Sequence, residues 1–363
     1  MSKLAKHLIA ASGNSTLIPD FLVTAGQGGI FTFDYSDPLN IVLLDSLTTS
    51  DYVFKIRNAI FDKNEMILIL NCHDGNSTGF MKLVDLSDPT NISEIASVGA
   101  NTMYAQIGYD AGFDSQNRIV NFAGPYTSDF VSRTGYSSSG FTTNQRKTDT
   151  RIDDPRTVQY DSHNNKVWVQ SDDDNVIWTF NPVTFAIDFN QYVGSNAGTI
   201  FRIDNVNNRM ILNLGGFSGT NLELYDLENP AGGVPTELSS LQSSPREVGR
   251  YGMAIDTTNR NIFYRGNQSI FSISYSGDTL SQLDSITVSP TYTSESTVGI
   301  DTVNGIMATG GRNVSGASGA NTALALYDIS DPSNLSKIKI YSDDDAVMSG
   351  VRSVYFVDFF VNE

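Results

Sequence analysis

Apolar and polar residues alternate along most of this chain in short runs, and two kinds of polar turn keep interrupting them. In the first kind an alternating run ends on Asp, two or three polar residues with Asn follow, and a second apolar run begins. The copies are "AIFDKNEMILIL" at Asp62, "GFDSQNRIVNF" at Asp114, "VQYDSHNNKVWV" at Asp161, "FRIDNVNNRMILNL" at Asp204, "MAIDTTNRNIFY" at Asp256 and "VGIDTVNGIMAT" at Asp301, with a weaker seventh, "YFVDFFVNE", at Asp358. Alternation on both sides of such a turn predicts a hairpin, because Asx side chains bond their own backbone in the turn and tolerate positive φ. Successive Asp positions lie 43 to 57 residues apart, which leaves room for two further strands in each period. In the second period the four strands are expected at 58–61, 66–71, 80–86 and 92–98.

Four antiparallel strands recurring at this spacing predict an all-β fold, a β-propeller with seven four-stranded blades. The stretch from Val351 to Asp358 reads as an innermost strand, and "DFLVTAG", Asp20 to Gly26, reads as the strand that should follow it. The ring is therefore expected to close by pairing the N- and C-terminal strands, which removes an open sheet edge. Residues 1–17 then form an N-terminal arm and residues 18–363 a single propeller domain.

The second kind of turn joins the third and fourth strands: "FDYSDPLNIVLLDSL" from Phe33, "LVDLSDPTNISEIASV" from Leu83, "LYDLENPAGGVPTELSSL" from Leu224 and "LYDISDPSNLSKIKIY" from Leu326. Proline presets φ for such a turn and the Asp side chains cap its amides. These "LxDxSDPxN" turns, at Asp34–Pro38, Asp85–Pro89, Asp226–Pro230 and Asp328–Pro332, resemble the LVIVD-repeat propellers. The fourth blade keeps only Asn181 and Pro182, and the sixth, "SISYSGDTL", has lost the proline. The resemblance implies the fold and little about activity, since that family is defined by its architecture. The sialidase Asp-box pattern S-x-D-x-G-x-x-W is absent, so sialidase-like chemistry is not expected.

Composition narrows the function. Of 363 residues 40% are hydrophobic, enough for a sizeable core, and the formal net charge of -17 repels nucleic-acid phosphates and anionic membranes. No nucleic-acid partner and no membrane insertion are expected. One cysteine, Cys72, rules out an internal disulfide framework and a cysteine-based zinc site, and the three histidines form no HExxH motif. The arm's apolar core, Leu8 to Ala11, is too short for a secretory h-region. The N-x-S/T sequons then carry no glycosylation argument. "AKHLIAASGN", Ala5 to Asn14, is similar to the starts of many phage virion proteins, tail and tail-fibre components above all. That similarity implies an assembly arm, with Leu4, His7, Leu8 and Ile9 as its docking residues.

The first-to-second and third-to-fourth turns share one face of a propeller and are regular here, whereas the loops of the opposite face vary, so function is expected on the variable face. Arg57, Arg156, Arg250 and Arg352 each precede a hairpin Asp by five or six residues, where guanidiniums ringing the channel mouth would hold a carboxylate, sulfate or phosphate. The plainer reading pairs them with carboxylates between blades. The acidic runs Asp172, Asp173, Asp174 and Asp343, Asp344, Asp345 suit Ca²⁺, the one cofactor the sequence offers, although solvated acidic loops are the commoner case. His73 beside Asp74 lacks a nucleophile motif, His163 belongs to an Asx turn, and Trp168 and Trp178 read as core. The expectation is a non-enzymatic phage virion structural or adhesion protein, present in multiple copies. Its arm would meet other virion proteins, and its loop face would meet a host-surface glycan or protein. The alternatives are a carbohydrate-active or lactonase-like propeller enzyme and a bacterial LVIVD-type surface or scaffold propeller, cytoplasmic or at the cell surface.

Overall fold

A computed structural model describes residues 18–362 except 27, 49–54, 74–78, 100–109, 125–129, 150–151, 153–154, 172–175, 194–199, 215–219, 232–233, 244–251, 267–268, 288–297, 312–322, 343–344, 349–353 and 355. Twenty-eight strands form seven antiparallel four-stranded sheets, so the predicted propeller with seven blades is the observed fold. Blade one holds β1 (Phe21–Gly26), β2 (Gly29–Asp34) and β3 (Val42–Leu47), and blade two β4 (Lys55–Asp62), β5 (Ile67–His73), β6 (Gly79–Asp85) and β7 (Ser93–Gly99). Blade three is β8 (Ala111–Asp114), β9 (Ile119–Gly124), β10 (Phe130–Ser137) and β11 (Gly140–Lys147), and blade four β12 (Pro155–Asp161), β13 (Lys166–Ser171), β14 (Val176–Phe180) and β15 (Ile187–Val193). Blade five is β16 (Phe201–Asp204), β17 (Arg209–Leu214), β18 (Thr220–Ala231) and β19 (Val234–Ser243), and blade six β20 (Met253–Asp256), β21 (Asn261–Arg265), β22 (Ser269–Ser274) and β23 (Ser281–Thr287). Blade seven is β24 (Val298–Asp301), β25 (Ile306–Gly311), β26 (Ala323–Asp328) and β27 (Ser336–Ser342). The last strand, β28 (Phe356–Phe360), pairs with β1 in blade one, with Val23 opposite Asp358, and closes the ring as expected.

The Asp turns are one device built six times. Asp301 accepts the amides of Val303 at 2.9 Å and Asn304 at 3.0 Å on Oδ1 and the Asn304 side-chain amide on Oδ2. Asp204 and Asp256 repeat the whole set, and Asp62, Asp114 and Asp161 repeat parts of it. Four residues after each Asp the chain adopts positive φ, at Met66, Arg118, Asn165, Asn208, Arg260 and Gly305. In five blades the carbonyl of that residue accepts an amide from the end of the third strand: Leu86, Tyr136, Leu227, Tyr275 or Ile329. Blade one, whose first hairpin is split between the chain ends, rebuilds the turn from two segments. Asn362 donates its amide to Asp20 at 2.7 Å and its side-chain NH₂ to the Ile18 carbonyl at 3.0 Å.

The Asp-Pro turns latch one blade to the next. Within each, the Asp carboxylate takes the amide two residues on, as in Asp88 with Thr90 at 2.9 Å and Asp331 with Ser333 at 2.9 Å. Between blades, Thr32 of β2 donates to the Pro89 carbonyl at 2.6 Å, and Ser272 of β22 donates to that of Pro332. Asp45 of β3 and Asp284 of β23 accept the amides of Ile92 and Leu335, each at 2.7 Å. Tyr341 of β27 bonds both Pro38 and Ile41, closing the seam between blades seven and one.

A third link joins neighbouring blades through buried carboxylates. Tyr35 donates to Asp301 at 2.9 Å, Tyr136 to Asp62 at 2.6 Å and Tyr275 to Asp204 at 2.6 Å, in each case from a blade to the one before it. Between these polar lines the seams are apolar; Trp168, Met210, Leu212 and Tyr225, for instance, fill the join of blades four and five. Both tryptophans are core residues as expected, with their indole N–H groups bonded to Asp161 and Ser171, each at 3.2 Å.

Two blades depart from the expected outer turn. In blade three, β10 and β11 meet through a tight turn at Ser138–Ser139 with Gly140 at φ 139, and no Asp-Pro pair is used. In blade five the "LENPAGGVP" stretch does not make the compact turn. The strands run on until Ala231 pairs Val234, making β18 the longest strand described.

Candidate functional site in the axial channel

Aligned on the hairpin Asp, the innermost strands show where the blades stop being alike. Two residues before that Asp stand Ile60, Gly112, Gln159, Arg202, Ala254, Gly299 and Phe356. Glycine is needed where innermost strands crowd: a Cβ at Gly112 would lie 3.0 Å from the backbone of Gln159 and Tyr160, and one at Gly299 2.9 Å from that of Val357 and Asp358. Gln159 and Arg202 are the polar exceptions. Both reach the carboxylate of Asp110, the residue that leads into β8, with Gln159 Nε2 at 3.1 Å and Arg202 Nη1 at 2.8 Å from Oδ2.

This contact locates the three side chains. Asp110 belongs to blade three and Arg202 to blade five, and with blade four between them they can meet only across the central axis. The side chains keep 13% and 18% of their surface exposed, so the pair is sheltered yet reached by water from the channel. Burial pushes the Asp110 carboxyl above the usual carboxylate range, and the Arg202 charge opposes that shift without cancelling it. A second bond from Gln159 Nε2 to the Val158 carbonyl, 2.9 Å, fixes the amide with its oxygen turned away from Asp110. Arg202 spends Nη1 on Asp110 and on the Phe201 carbonyl at 3.0 Å. Its Nε and Nη2, like Gln159 Oε1, bond no described residue and are not sealed from solvent. Ile60 and Ala254, at the same place in blades two and six, are half-buried and pack into the apolar seams with blades three and seven.

The residues singled out from the sequence lie elsewhere. Arg57 and Arg156 occupy equivalent places in β4 and β12, each where the pairing with the second strand skips one residue, between Ile56 and Asn58 and between Pro155 and Thr157. Such bulges re-aim a strand locally. Their side chains, Arg250 and Arg352, the run Asp172–Asp174, Asp343, Asp344, the side chain of His73 and the arm with Leu4, His7, Leu8 and Ile9 lie outside the described residues. Asp345 is described, and its carboxylate accepts the Ser342 amide at 2.7 Å where a short 3₁₀ turn, Ala346–Met348, begins. Among the described residues no three His, Cys, Asp or Glu side chains are grouped to hold a metal ion. His163 sits exposed in its turn.

The fold and the channel define a class: a seven-bladed propeller with, among the described residues, an asymmetric polar cluster in its central channel. The chain is similar in structure to a putative 6-phosphogluconolactonase from Bacteroides uniformis, with a TM-score of 0.72 at 11% identity over 95% of this chain and 100% of that one. It is similar also to the periplasmic gluconolactonase of Pseudomonas aeruginosa, TM-score 0.72 at 11% identity over 94% and 99% of the two chains. A functionally unknown protein from Desulfotomaculum acetoxidans gives a TM-score of 0.67 at 9% identity over 89% and 98%. Likeness at this identity establishes the fold and no more. No family model and no curated protein matches this chain, so the similarity of its turns to LVIVD repeats and of its arm to virion proteins stands on the quoted residues alone.

Proposed function

We propose that this propeller is a non-enzymatic binding and assembly module, a virion structural or adhesion protein. In this reading the arm, residues 1–17, docks it to capsid or tail, and the variable loops and channel meet the host surface. The observation that carries the reading is how the polar groups are divided. On the regular face the Asp and Asp-Pro turns are committed to their own amides and to the next blade. Polar atoms open to solvent and bonded to nothing described are found in the channel. Architecture and recognition therefore use different residues, as expected of a scaffold that presents a surface. Deleting residues 1–17 should leave the melting temperature unchanged and abolish incorporation into particles, scored by mass spectrometry of purified virions. An arm deletion that is incorporated normally ends the proposal.

A second reading, an enzyme acting on a sugar lactone, is favoured by the fold shared with the gluconolactonase of Pseudomonas aeruginosa and by a carboxyl of raised pKa in the channel. Glucono-lactone hydrolysis by the full chain, lost in Asp110→Asn, would establish it in place of the first.

A further inference from the structure

We propose that the channel cluster of Asp110, Gln159 and Arg202 is a binding site for an uncharged, polyhydroxylated ligand of the sugar class. The inference rests on the reading that the channel serves recognition, and it names the ligand. The groups left over after the cluster satisfies itself are the guanidinium donors at Nε and Nη2 and one amide acceptor, Gln159 Oε1, beside a carboxylate already holding two donors. Adjacent donors and an acceptor on planar groups match vicinal hydroxyls, each of which donates one bond and accepts others.

Charge also disfavours an anion at this cluster. Arg202 is neutralised at 2.8 Å by Asp110, so the described cluster carries no net charge, and an incoming carboxylate or phosphate would approach that buried carboxylate inside a chain of formal charge -17. A neutral polyol leaves the ion pair intact. The amide orientation of Gln159 and the position of Arg202 are set by bonds to Val158 and Phe201, so the polar wall is organised before any ligand enters.

The test uses the full chain and ligand-observed NMR, with glucose, galactose, mannose and N-acetylglucosamine against glucuronate, sulfate and inorganic phosphate. At least one neutral sugar should bind at millimolar concentration, and its affinity should drop about tenfold in Gln159→Leu, which loses two polar positions. Arg202→Lys, which retains the charge opposite Asp110 and removes the planar donors, should weaken the same sugar to a similar degree with the melting temperature unchanged. No saturable binding of any of the four sugars overturns the inference, as does sugar binding that both substitutions leave intact. Binding of glucuronate or phosphate that Arg202→Lys weakens, with the sugars silent, overturns it in favour of an anion site. The assembly reading survives any of these results, because arm-dependent incorporation into particles is scored separately.

Discussion

Replacing Tyr275 by Phe isolates one blade-to-blade link. The phenol is fully buried, its oxygen lies 2.6 Å from Asp204 Oδ2, and Asp204 is itself wholly inaccessible. Phenylalanine retains the ring contacts with Ile211, Leu224 and Ile273 in the seam of blades five and six, so the change removes a hydrogen bond and little else. A bond to a charged group contributes about 1.5–3 kcal/mol, and because Asp204 keeps Val206, Asn207 and the Asn207 side chain as donors, about 2 kcal/mol is expected. Blade six supplies an internal comparison. Asp256 has Ile329 at the place where a tyrosine would reach it and is satisfied by Thr258 and Asn259 alone, so the turn tolerates the loss. With an unfolding entropy of about 2.1 cal/mol/K per residue over 363 residues, 2 kcal/mol corresponds to a fall in Tm of about 3 °C. Differential scanning calorimetry of wild type, Tyr275→Phe, Asp204→Asn and the double variant reads the coupling directly. A Tm unmoved by Tyr275→Phe, or a coupling energy indistinguishable from zero, refutes the assignment of this pair as a stabilising link.

Other outcomes follow from the same geometry. Asp45→Ala and Asp284→Ala each strand a buried-side amide, Ile92 or Leu335, and should cost about 1–2 kcal/mol; lying in separate seams, they should add within about 0.5 kcal/mol in urea melts. Gly310→Ala places a Cβ 2.2 Å from Val354 Cγ1 across the join of blades seven and one and should cost about 1–3 kcal/mol, with Val354→Ala rescuing only partly because the Val354 carbonyl is also close, at 2.8 Å. Burial, and then the nearby Glu237, push the Glu223 carboxyl up to about 7. A raised carboxyl contributes stability that is complete below its unfolded value of about 4.5 and lost as pH rises through about 7, so Glu223→Gln should flatten part of the fall in Tm across that window.

The ring was legible in the sequence because its punctuation is local. An Asp that caps amides two and three residues on leaves its mark within one turn, and period two on either side needs no tertiary knowledge. Closure by the chain ends was legible for the same reason, since β28 and β1 are the two halves of one such hairpin. What escaped was nonlocal or replaced by another local solution. The Ser138–Ser139 turn ends the third blade's outer hairpin without Asp or Pro because a glycine at φ 139 suffices. Asp110, Gln159 and Arg202 are 49 and 43 residues apart in sequence order and carry no motif. Gln159 and Arg202 become visible only when the blades are aligned on the hairpin Asp and the position two residues earlier is read across all seven, and Asp110, four residues before its hairpin Asp, only through its contacts with them. The tyrosines that bond the previous blade's Asp were likewise hidden, because Leu86, Leu227 and Ile329 fill the same place in other blades.

In a repeat protein the residues that recur are those the architecture requires in every unit, and here each recurring polar residue has a described partner within its blade or the next. The Asp at the end of the innermost strand recurs because every hairpin needs it. The position two residues earlier is not used by the turn and differs from blade to blade, with Ile60, Ala254 and Phe356 packed into seams and Gln159 and Arg202 reaching Asp110. Gln159 and Arg202 at that position in blades four and five, with Asp110 four residues before the hairpin Asp of blade three, give a one-sided cluster of no net formal charge without disturbing any hairpin. The break in symmetry at Asp110, Gln159 and Arg202 is thus compatible with the full stability of the ring. It also makes a sharp demand: substitutions at these three positions should change what the channel binds far more than they change how the propeller melts.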